Sequence, residues 1–157
     1  MAKRESAGIL LYRMNNGELH FFLVHHGGPY WKDKDAGAWS ICKGELAEGE
    51  APLAAAVREF KEETGTTVTG LFTELTPIIQ KGGKKVYAWA AEGNLDADTI
   101  QCNTFTMQWP PKSGNWQRFP EVDKAGWFSP EAARVKINAA QIPLLEEVEA
   151  KLDSIKK

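Results

Sequence analysis

The hydrophobic pattern near the N-terminus predicts two paired β-strands. Apolar residues cluster in 6–13 and again in 19–25, and the sequence Asn15-Asn16-Gly17 lies between them. An Asn-Gly pair flanked by apolar runs is a strong signal for two antiparallel strands joined by a tight turn. We therefore expect strands at Ser6–Arg13 and Leu19–His25.

A helix with one apolar side is predicted at Pro52–Gly65. Proline suits the first turn of a helix, and glycine suits the position just after its end. Successive helical residues turn by about 100°, so Leu53, Val57 and Phe60 form one apolar stripe. The alanines at 54–56 should let this helix lie close to a sheet.

The rest of the chain alternates strands, turns and two further helices. A glycine-flanked loop at 27–37 precedes a short apolar segment at 39–42, and the chain contains no repeat or linker. Strands followed by helices in this order indicate a mixed-sheet α/β or α+β layered fold in a single domain over 1–157. We predict strands at Gly70–Gln80, Lys84–Glu92, Thr104–Trp109 and Val122–Phe128, no regular structure at 110–120, a helix opening at Ser129-Pro130-Glu131, and a terminal helix at Ile142–Ile155.

Composition and charge exclude several classes of protein. The chain has 157 residues and a formal net charge of −2, which argues against a broad electrostatic grip on DNA or anionic lipid. Cys42 and Cys102 are its only cysteines, and their spacing matches neither a disulfide framework nor a zinc site. No apolar run approaches membrane-spanning length. We expect a cytoplasmic protein whose partner is neither DNA nor a membrane.

Three glutamates crowd one side of the predicted helix. Glu59, Glu62 and Glu63 fall within an arc of about 100°. The pair Glu59 and Glu63 has like charges four residues apart, which costs roughly 0.2–0.5 kcal/mol, and the end of the helix also disfavours anions. A solvated polar face would gain nothing from this arrangement. Clustered carboxylates are, however, the oxygen ligands that Mg²⁺ prefers.

The spacing of these residues resembles the Nudix box of the Nudix hydrolases. Gly44, Glu50, the segment Arg58-Glu59-Phe60-Lys61-Glu62-Glu63 and Gly65 meet every glycine and charged position of that pattern. Phe60 and Thr66 depart from the usual aliphatic residues, and Cys42 stands where relatives often have proline. These departures affect packing more than chemistry. With its flanking strands, the resemblance covers roughly residues 5–140.

The resemblance implies a fold, an activity and a metal. The fold is an α/β/α sandwich around a mixed β-sheet. The activity is hydrolysis of a phosphoanhydride in a nucleoside diphosphate linked to another group X, with Mg²⁺ or Mn²⁺ as cofactor. Glu59 and Glu63 are then the firmest metal ligands, Glu62 is a ligand or the general base, and the carbonyl of Gly44 is a further metal contact.

Arg58, Glu50 and Glu121 complete the catalytic set implied by the resemblance. Arg58 and Glu50 commonly pair in the family and hold the loop before the helix, which indicates an orienting role. Relatives often draw a functional glutamate from a late loop, and Glu121 occupies such a place in this chain. Glu62 and Glu121 are thus alternative general bases.

Five residues are candidates for holding a nucleotide substrate. Aromatic rings can stack on bases while cationic side chains meet phosphates. The candidates lie beside the box, in the glycine-flanked loop, in a later strand and in the proline-rich segment: Lys43, Trp31, Tyr87, Lys112 and Arg118.

The sequence leaves the substrate and one rival function open. A dinucleoside polyphosphate or a nucleoside triphosphate is favoured as the small-molecule substrate, and the near-neutral charge disfavours long RNA. The rival is a nucleotide-sensing module without turnover. Such domains frequently lose box carboxylates, whereas all three are intact here. A purely structural protein would give the acidic cluster no purpose.

Overall fold

A seven-stranded mixed sheet forms the centre of the computed structural model, which describes residues 4–156. Strands β1 and β6 run parallel, whereas β1 pairs antiparallel with β2 and β4. Two further strands form a separate antiparallel pair. The strands are β1 (Glu5–Asn15), β2 (Glu18–His26), β3 (Trp39–Ser40), β4 (Cys42–Glu45), β5 (Thr73–Gln80), β6 (Lys84–Glu92), β7 (Thr104–Gln108), β8 (Trp116–Pro120) and β9 (Val122–Phe128), and the helices are α1 (Pro52–Thr64), α2 (Pro130–Lys136) and α3 (Ile142–Lys156).

Helices cover both faces of the sheet because its strands alternate their side chains between two cores. Ala7, Ile9 and Leu11 of β1 are buried in a cluster that also contains residues of α1. Leu10 points to the opposite face, where it joins buried residues of α2 and α3 such as Leu144. The period of two in β1 therefore builds two apolar layers. This arrangement confirms the predicted α/β/α sandwich.

The N-terminal hairpin is confirmed and is longer than predicted. Strands β1 and β2 pair from Tyr12 opposite Phe21 to Asn15 opposite Glu18. Asn16 and Gly17 form the turn with φ angles of 54° and 82°, the left-handed conformation that a two-residue turn of this type requires.

Helix α1 begins and ends where the sequence predicts. Pro52 occupies its first turn, and Gly65 follows its last residue with φ 81° while donating its N–H to the Lys61 carbonyl. Phe60 is fully buried, which stabilises the contact with the sheet by about 1.5–3 kcal/mol. Only part of the alanine run packs closely, because residues 55–56 are buried but Ala54 is exposed.

Two strand predictions need correction. We predicted no regular structure at 110–120, but Trp116–Pro120 forms β8 and pairs with β7. Turn-forming residues do occupy 110–115. They reverse the chain direction, and β8 then pairs with β7, the strand that precedes it in the sequence. Strand β5 begins at Thr73 rather than Gly70, whose φ of 103° is incompatible with a strand.

The C-terminal part follows the predicted order. The Ser129 hydroxyl accepts a hydrogen bond from the Ala132 N–H and caps α2, as its sequence indicates. Helix α3 extends over Ile142–Lys156. Among the helices of residues 4–156, none is both long and apolar enough to cross a membrane.

Candidate active site

Strand β4 and helix α1 meet at Gly44. In β4, Gly44 pairs with Ala7 of β1, on the sheet face that α1 covers. A Cβ atom at Gly44 would lie 2.1 Å from Cδ of Glu59, so any other residue would collide with this carboxylate. Glycine therefore allows Glu59 to rest against the backbone of β4.

Arg58 ties the loop before α1 to the acidic face of the helix. Its Nε and Nη2 atoms donate to the two carboxylate oxygens of Glu50 at 2.8 and 2.9 Å. Nη1 donates to Glu59 at 2.9 Å and to Glu62 at 3.1 Å, and Nη2 also donates to the Glu45 carbonyl at 3.1 Å. The predicted Arg58–Glu50 pair is therefore present, and these hydrogen bonds lower the pKa of Glu50 to about 2.

Glu63 is the most deeply buried carboxylate of the cluster. The residue is 6% exposed, and its Oε2 atom has no hydrogen-bond partner within the described residues. Burial, followed by the charge of Glu59, raises its pKa well above the ordinary value. A buried carboxylate oxygen without a partner is costly unless a cation or a proton satisfies it.

The donor set fits an oxygen-preferring divalent cation such as Mg²⁺ or Mn²⁺. Glu59, Glu62 and Glu63 provide hard oxygen atoms, and the backbone of Gly44 lies against the Glu59 carboxylate. As the side chains stand in residues 4–156, no three His, Cys, Asp or Glu form a ready metal-binding group. Arg58 contacts two of the three glutamates, so a cation would compete with its guanidinium for their oxygens.

Glu121 lies beside the same carboxylates. Its backbone N–H donates to the Asn103 carbonyl at 2.9 Å, and the Asn103 N–H donates to the Glu62 carbonyl at 2.8 Å. Burial and the charge of Glu62 raise the pKa of Glu121, and its charge in turn contributes to the raised pKa of Glu59 and Glu63. Tertiary structure thus brings four predicted glutamates together.

Lys43 is a second cation whose charge acts on Glu63. It precedes Gly44 on β4 and is half-buried. Burial and the neighbouring charge of Lys84 lower its pKa, although Glu63 and Glu59 act in the opposite direction. Its position is compatible with a phosphate contact.

Tyr87 lies on the same sheet face, away from the glutamates. Ala7 pairs with Gly44 on one side and with Tyr87 on the other, which separates their backbones by about 10 Å, or two strand spacings. The Tyr87 hydroxyl donates to Glu5 at 2.7 Å. With Trp89, Tyr87 lines a mainly apolar cavity of about 360 Å³ at the start of α1.

The other three predicted substrate contacts belong to a different part of the molecule. The rings of Trp31 and His26 have their centres 5.1 Å apart. Lys34 Nζ lies 5.2 Å from the centre of the Trp31 ring. Lys112 lies in the turn between β7 and β8 with φ 61°, and Arg118 is exposed on β8. Whether these side chains hold a substrate remains a prediction.

Sequence reasoning missed the contact between Cys42 and Glu63. Cys42 is fully buried, and burial, followed by the charge of the neighbouring Glu63, raises the pKa of its thiol well above its usual value. The signal was available, because Cys42 and Gly44 are two residues apart on one strand and must point to the same side of the sheet.

Comparison with known proteins identifies relatives of one kind. The model of the NUDIX domain matches residues 2–148. An 8-oxo-(d)GTP phosphatase of Mycolicibacterium smegmatis is 35% identical over 97 residues, which are 60% of this chain and 24% of that protein. The chain therefore spans about a quarter of this curated relative.

Solved structures of similar fold include a hydrolase and a nucleotide-binding domain. A C. elegans Ap4A hydrolase in a binary complex has a TM-score of 0.68 at 26% identity, covering 96% of this chain and 98% of that one. The NUDIX domain of Shewanella oneidensis NrtR, complexed with ADP ribose, has a TM-score of 0.64 at 14% identity, and the match covers 97% of this chain and 90% of that one. The second likeness concerns the fold alone.

Proposed function

Because the chain belongs to the Nudix family, we propose that it is a divalent-metal-dependent pyrophosphohydrolase of nucleotide derivatives. The observation that carries this proposal is the buried oxygen of Glu63, which has no partner in the described residues and adjoins Glu59. A buried carboxylate oxygen beside a second carboxylate is stabilised when a ligand compensates its charge. A divalent cation supplies that ligand.

The reaction is a hydrolysis of a phosphoanhydride. The oxygen of a water molecule bonds to phosphorus, the bridging P–O bond breaks, and the proton of the water passes to a carboxylate. When bound, Mg²⁺ or Mn²⁺ would neutralise the negative charge of the phosphate oxygens and lower the pKa of water. Glu59, Glu62, Glu63 and the Gly44 carbonyl would hold the cation.

The pair Arg58 and Glu50 positions these ligands. The guanidinium grips Glu50 with two hydrogen bonds and reaches Glu59 with a third. Two parallel bonds fix the plane of the guanidinium, so its remaining N–H groups orient the acidic face of α1. Arg58 and Glu50 therefore act through the carboxylates and are positioning residues.

Glu121 is the better-placed general base of the two candidates. The backbone of Glu121 is tied to the Glu62 carbonyl through Asn103, which holds it beside the acidic face of α1, and an effective base needs a pKa close to the working pH, which burial favours by raising the pKa of Glu121. Glu62 is instead hydrogen-bonded to Arg58 at 3.1 Å. The Glu121→Gln variant should remove the acidic limb of the pH–rate profile, whereas Glu62→Gln should mainly weaken metal dependence. The reverse result would reassign the base to Glu62.

The favoured substrates are dinucleoside polyphosphates and nucleoside triphosphates. Two similar proteins support this class: one is named an Ap4A hydrolase and the other an 8-oxo-(d)GTP phosphatase. Lys43 beside Gly44 is available for a phosphate, and the aromatic residues Tyr87 and Trp31 are available for bases.

The test is a product analysis with purified protein. Protein, Mg²⁺ or Mn²⁺ and a panel of dinucleoside polyphosphates, nucleoside triphosphates and nucleotide sugars are incubated, with Glu63→Gln as the inactive control. Products are identified by mass spectrometry in water enriched with heavy oxygen, so the label marks the phosphorus that is attacked. Tight nucleotide binding without any product would instead support a sensing module.

A further inference from the structure

Strands β7 and β8 form a two-stranded hairpin separate from the main sheet. We call residues 104–120 the projecting hairpin. Its base is attached beside the carboxylate cluster, because Asn103 donates to the Glu62 carbonyl and Glu121 donates to Asn103. Gly27 donates to the Glu121 carbonyl on the other side. The hairpin therefore starts at the active site and extends away from it.

One face of the projecting hairpin packs on the loop at 27–37. Phe105 pairs with Phe119 across the strands, with ring centres 5.9 Å apart. A Cβ atom at Gly28 would lie 3.0 Å from the Phe105 ring. Towards the tip, Tyr30 packs edge-on against Trp109 at 5.0 Å. These contacts fix the hairpin and leave its second face outward.

The second face carries an exposed aromatic ring and an exposed cation. Because side chains alternate along a strand, Trp116 and Arg118 of β8 point to the same side of the hairpin. Their cross-strand partners on β7 are Gln108 and Thr106, respectively. Trp116 is 67% exposed. Arg118 is also exposed, and it takes no part in the ion pairs formed among residues 4–156. An exposed tryptophan beside an unpaired guanidinium is a surface that suits a nucleotide.

The distance along β8 from Glu121 shows how far Arg118 and Trp116 lie from the carboxylate cluster. At about 3.3 Å per residue, Arg118 lies about 10 Å and Trp116 about 17 Å along the strand from Glu121. A phosphate chain leaving the cluster along the hairpin would therefore meet the guanidinium first and the indole second. That order matches a nucleotide, whose phosphates come before its base.

We propose that the outward face of the projecting hairpin binds the distal nucleotide of a dinucleoside polyphosphate. Arg118 contacts the phosphate chain and Trp116 stacks on the far base, and the inference rests on the proposed function. Charge favours a dinucleoside polyphosphate at this face, because its anionic phosphates complement the Arg118 guanidinium. A second copy of the chain carries a net charge of −2 and would offer a far weaker complement. Stacking tolerates any base, since every base has a π-face.

The experiment compares substrates that have or lack a second nucleotide. Values of kcat/KM for diadenosine tetraphosphate and for ATP are measured with wild type, Trp116→Ala, Arg118→Ala and Arg118→Lys. Leu71→Ala, which removes another exposed apolar side chain, is the matched control. We expect Trp116→Ala to lower kcat/KM for diadenosine tetraphosphate roughly tenfold, the order measured for loss of base stacking. ATP should change less than about twofold, and Arg118→Lys should recover part of the loss because charge is retained.

Two further measurements separate the possible failures. The affinity of each nucleotide is determined by fluorescence titration without hydrolysis, and the oligomeric state by sedimentation. Equal losses for both nucleotides, or no loss, would overturn the hairpin assignment. Dissociation of a dimer by Trp116→Ala would also overturn it and assign the face to a second copy. Absence of hydrolysis with selective loss of dinucleotide affinity would refute the proposed function while supporting the hairpin site.

Discussion

Among single residues, Glu63 connects burial with chemistry most directly. Its carboxylate is buried near Glu59, and its Oε2 lacks a partner in the described part of the chain. The ionised form of this group destabilises the fold, because burial and like charge both raise its pKa. Under the proposed function, a divalent cation would compensate both effects by pairing with this carboxylate.

Replacing Glu63 should separate activity from stability. We expect Glu63→Gln to lower turnover by more than about 100-fold, since even partners outside the ligand set typically contribute 10–100-fold. Its melting temperature at neutral pH should stay the same or rise, because a buried charge is removed. Steady-state kinetics and calorimetry measure both. Glu74→Gln, on an exposed residue, is the control, and turnover close to wild type would remove Glu63 from the site.

His26 should give the fold a measurable pH dependence. Burial, reinforced by the charge of Lys43, lowers its pKa from 6.5 to about 4. A base with a depressed pKa stabilises the fold above its unfolded pKa, so this contribution is lost as pH falls from 6.5 towards about 4. At most about 3.5 kcal/mol is involved, since one pKa unit corresponds to about 1.4 kcal/mol. Urea unfolding of His26→Gln across this range should show a weaker pH dependence than wild type. An unchanged slope in His26→Gln would contradict the assignment.

Among the structural elements, the site depends on how the loop before α1 is held to the helix. Glu50 accepts two hydrogen bonds from Arg58, and its Oε1 also accepts the Ala47 N–H at 2.9 Å. The loop and the acidic face of α1 therefore move as one unit. The pKa of Glu50 is about 2, so its carboxylate stays ionised over the whole physiological pH range. The hydrogen bonds between Glu50 and Arg58 therefore persist over that range.

A neighbouring pair of glutamates provides a test of this positioning. Glu50→Gln should reduce kcat about 10–100-fold and raise the Mg²⁺ concentration needed for half-maximal activity. Glu48→Gln changes an exposed glutamate of the same loop and should leave both values near wild type. A metal titration of activity distinguishes the two roles, because a merely structural loss would lower the folded fraction without shifting the Mg²⁺ dependence.

Across the molecule as a whole, the carboxylates couple stability to pH and metal. The pKa values of Glu59, Glu63 and Glu121 are raised, each primarily by burial. Without a cation the folded protein holds protons that the unfolded chain has released, so stability falls as pH rises from about 4.5 through the raised pKa values. Under the proposed function, a divalent cation would bind the ionised form and offset this loss of stability.

Metal should therefore stabilise the protein more strongly at higher pH. With Mg²⁺ at 100 times its dissociation constant we expect about 2.7 kcal/mol of stabilisation. The gain should shrink as pH falls through the raised pKa values, because protonated carboxyl groups bind no metal. Thermal unfolding with Mg²⁺ or a chelator at several pH values measures this, and Glu63→Gln should lose most of the difference. An Mg²⁺ effect that is equal at every pH would argue against a site built from these carboxylates.

Local sequence was sufficient for elements that carry their own start and stop signals. Helix α1 has proline in its first turn and glycine after its end, and both boundaries were predicted correctly. Strand β8 was missed because its pairing partner, β7, is the only reason that Trp116–Pro120 is extended. Periodicity within 110–120 contains no such signal, since proline, glycine and asparagine dominate the segment.

The order of residues along the chain was enough to identify the family and to predict a cluster of carboxylates on one helix. The fixed offsets from Gly44 to Gly65 place carboxylates on one side of a helix, and helical geometry alone requires their proximity. Which distant groups join them depended on the folded arrangement. Glu121 reaches Glu62 through the backbone hydrogen bonds of Asn103, and a contact of such long sequence separation leaves no period in the chain. The outward face of the projecting hairpin is likewise visible only after folding, because exposure is a property of what the rest of the molecule does not cover.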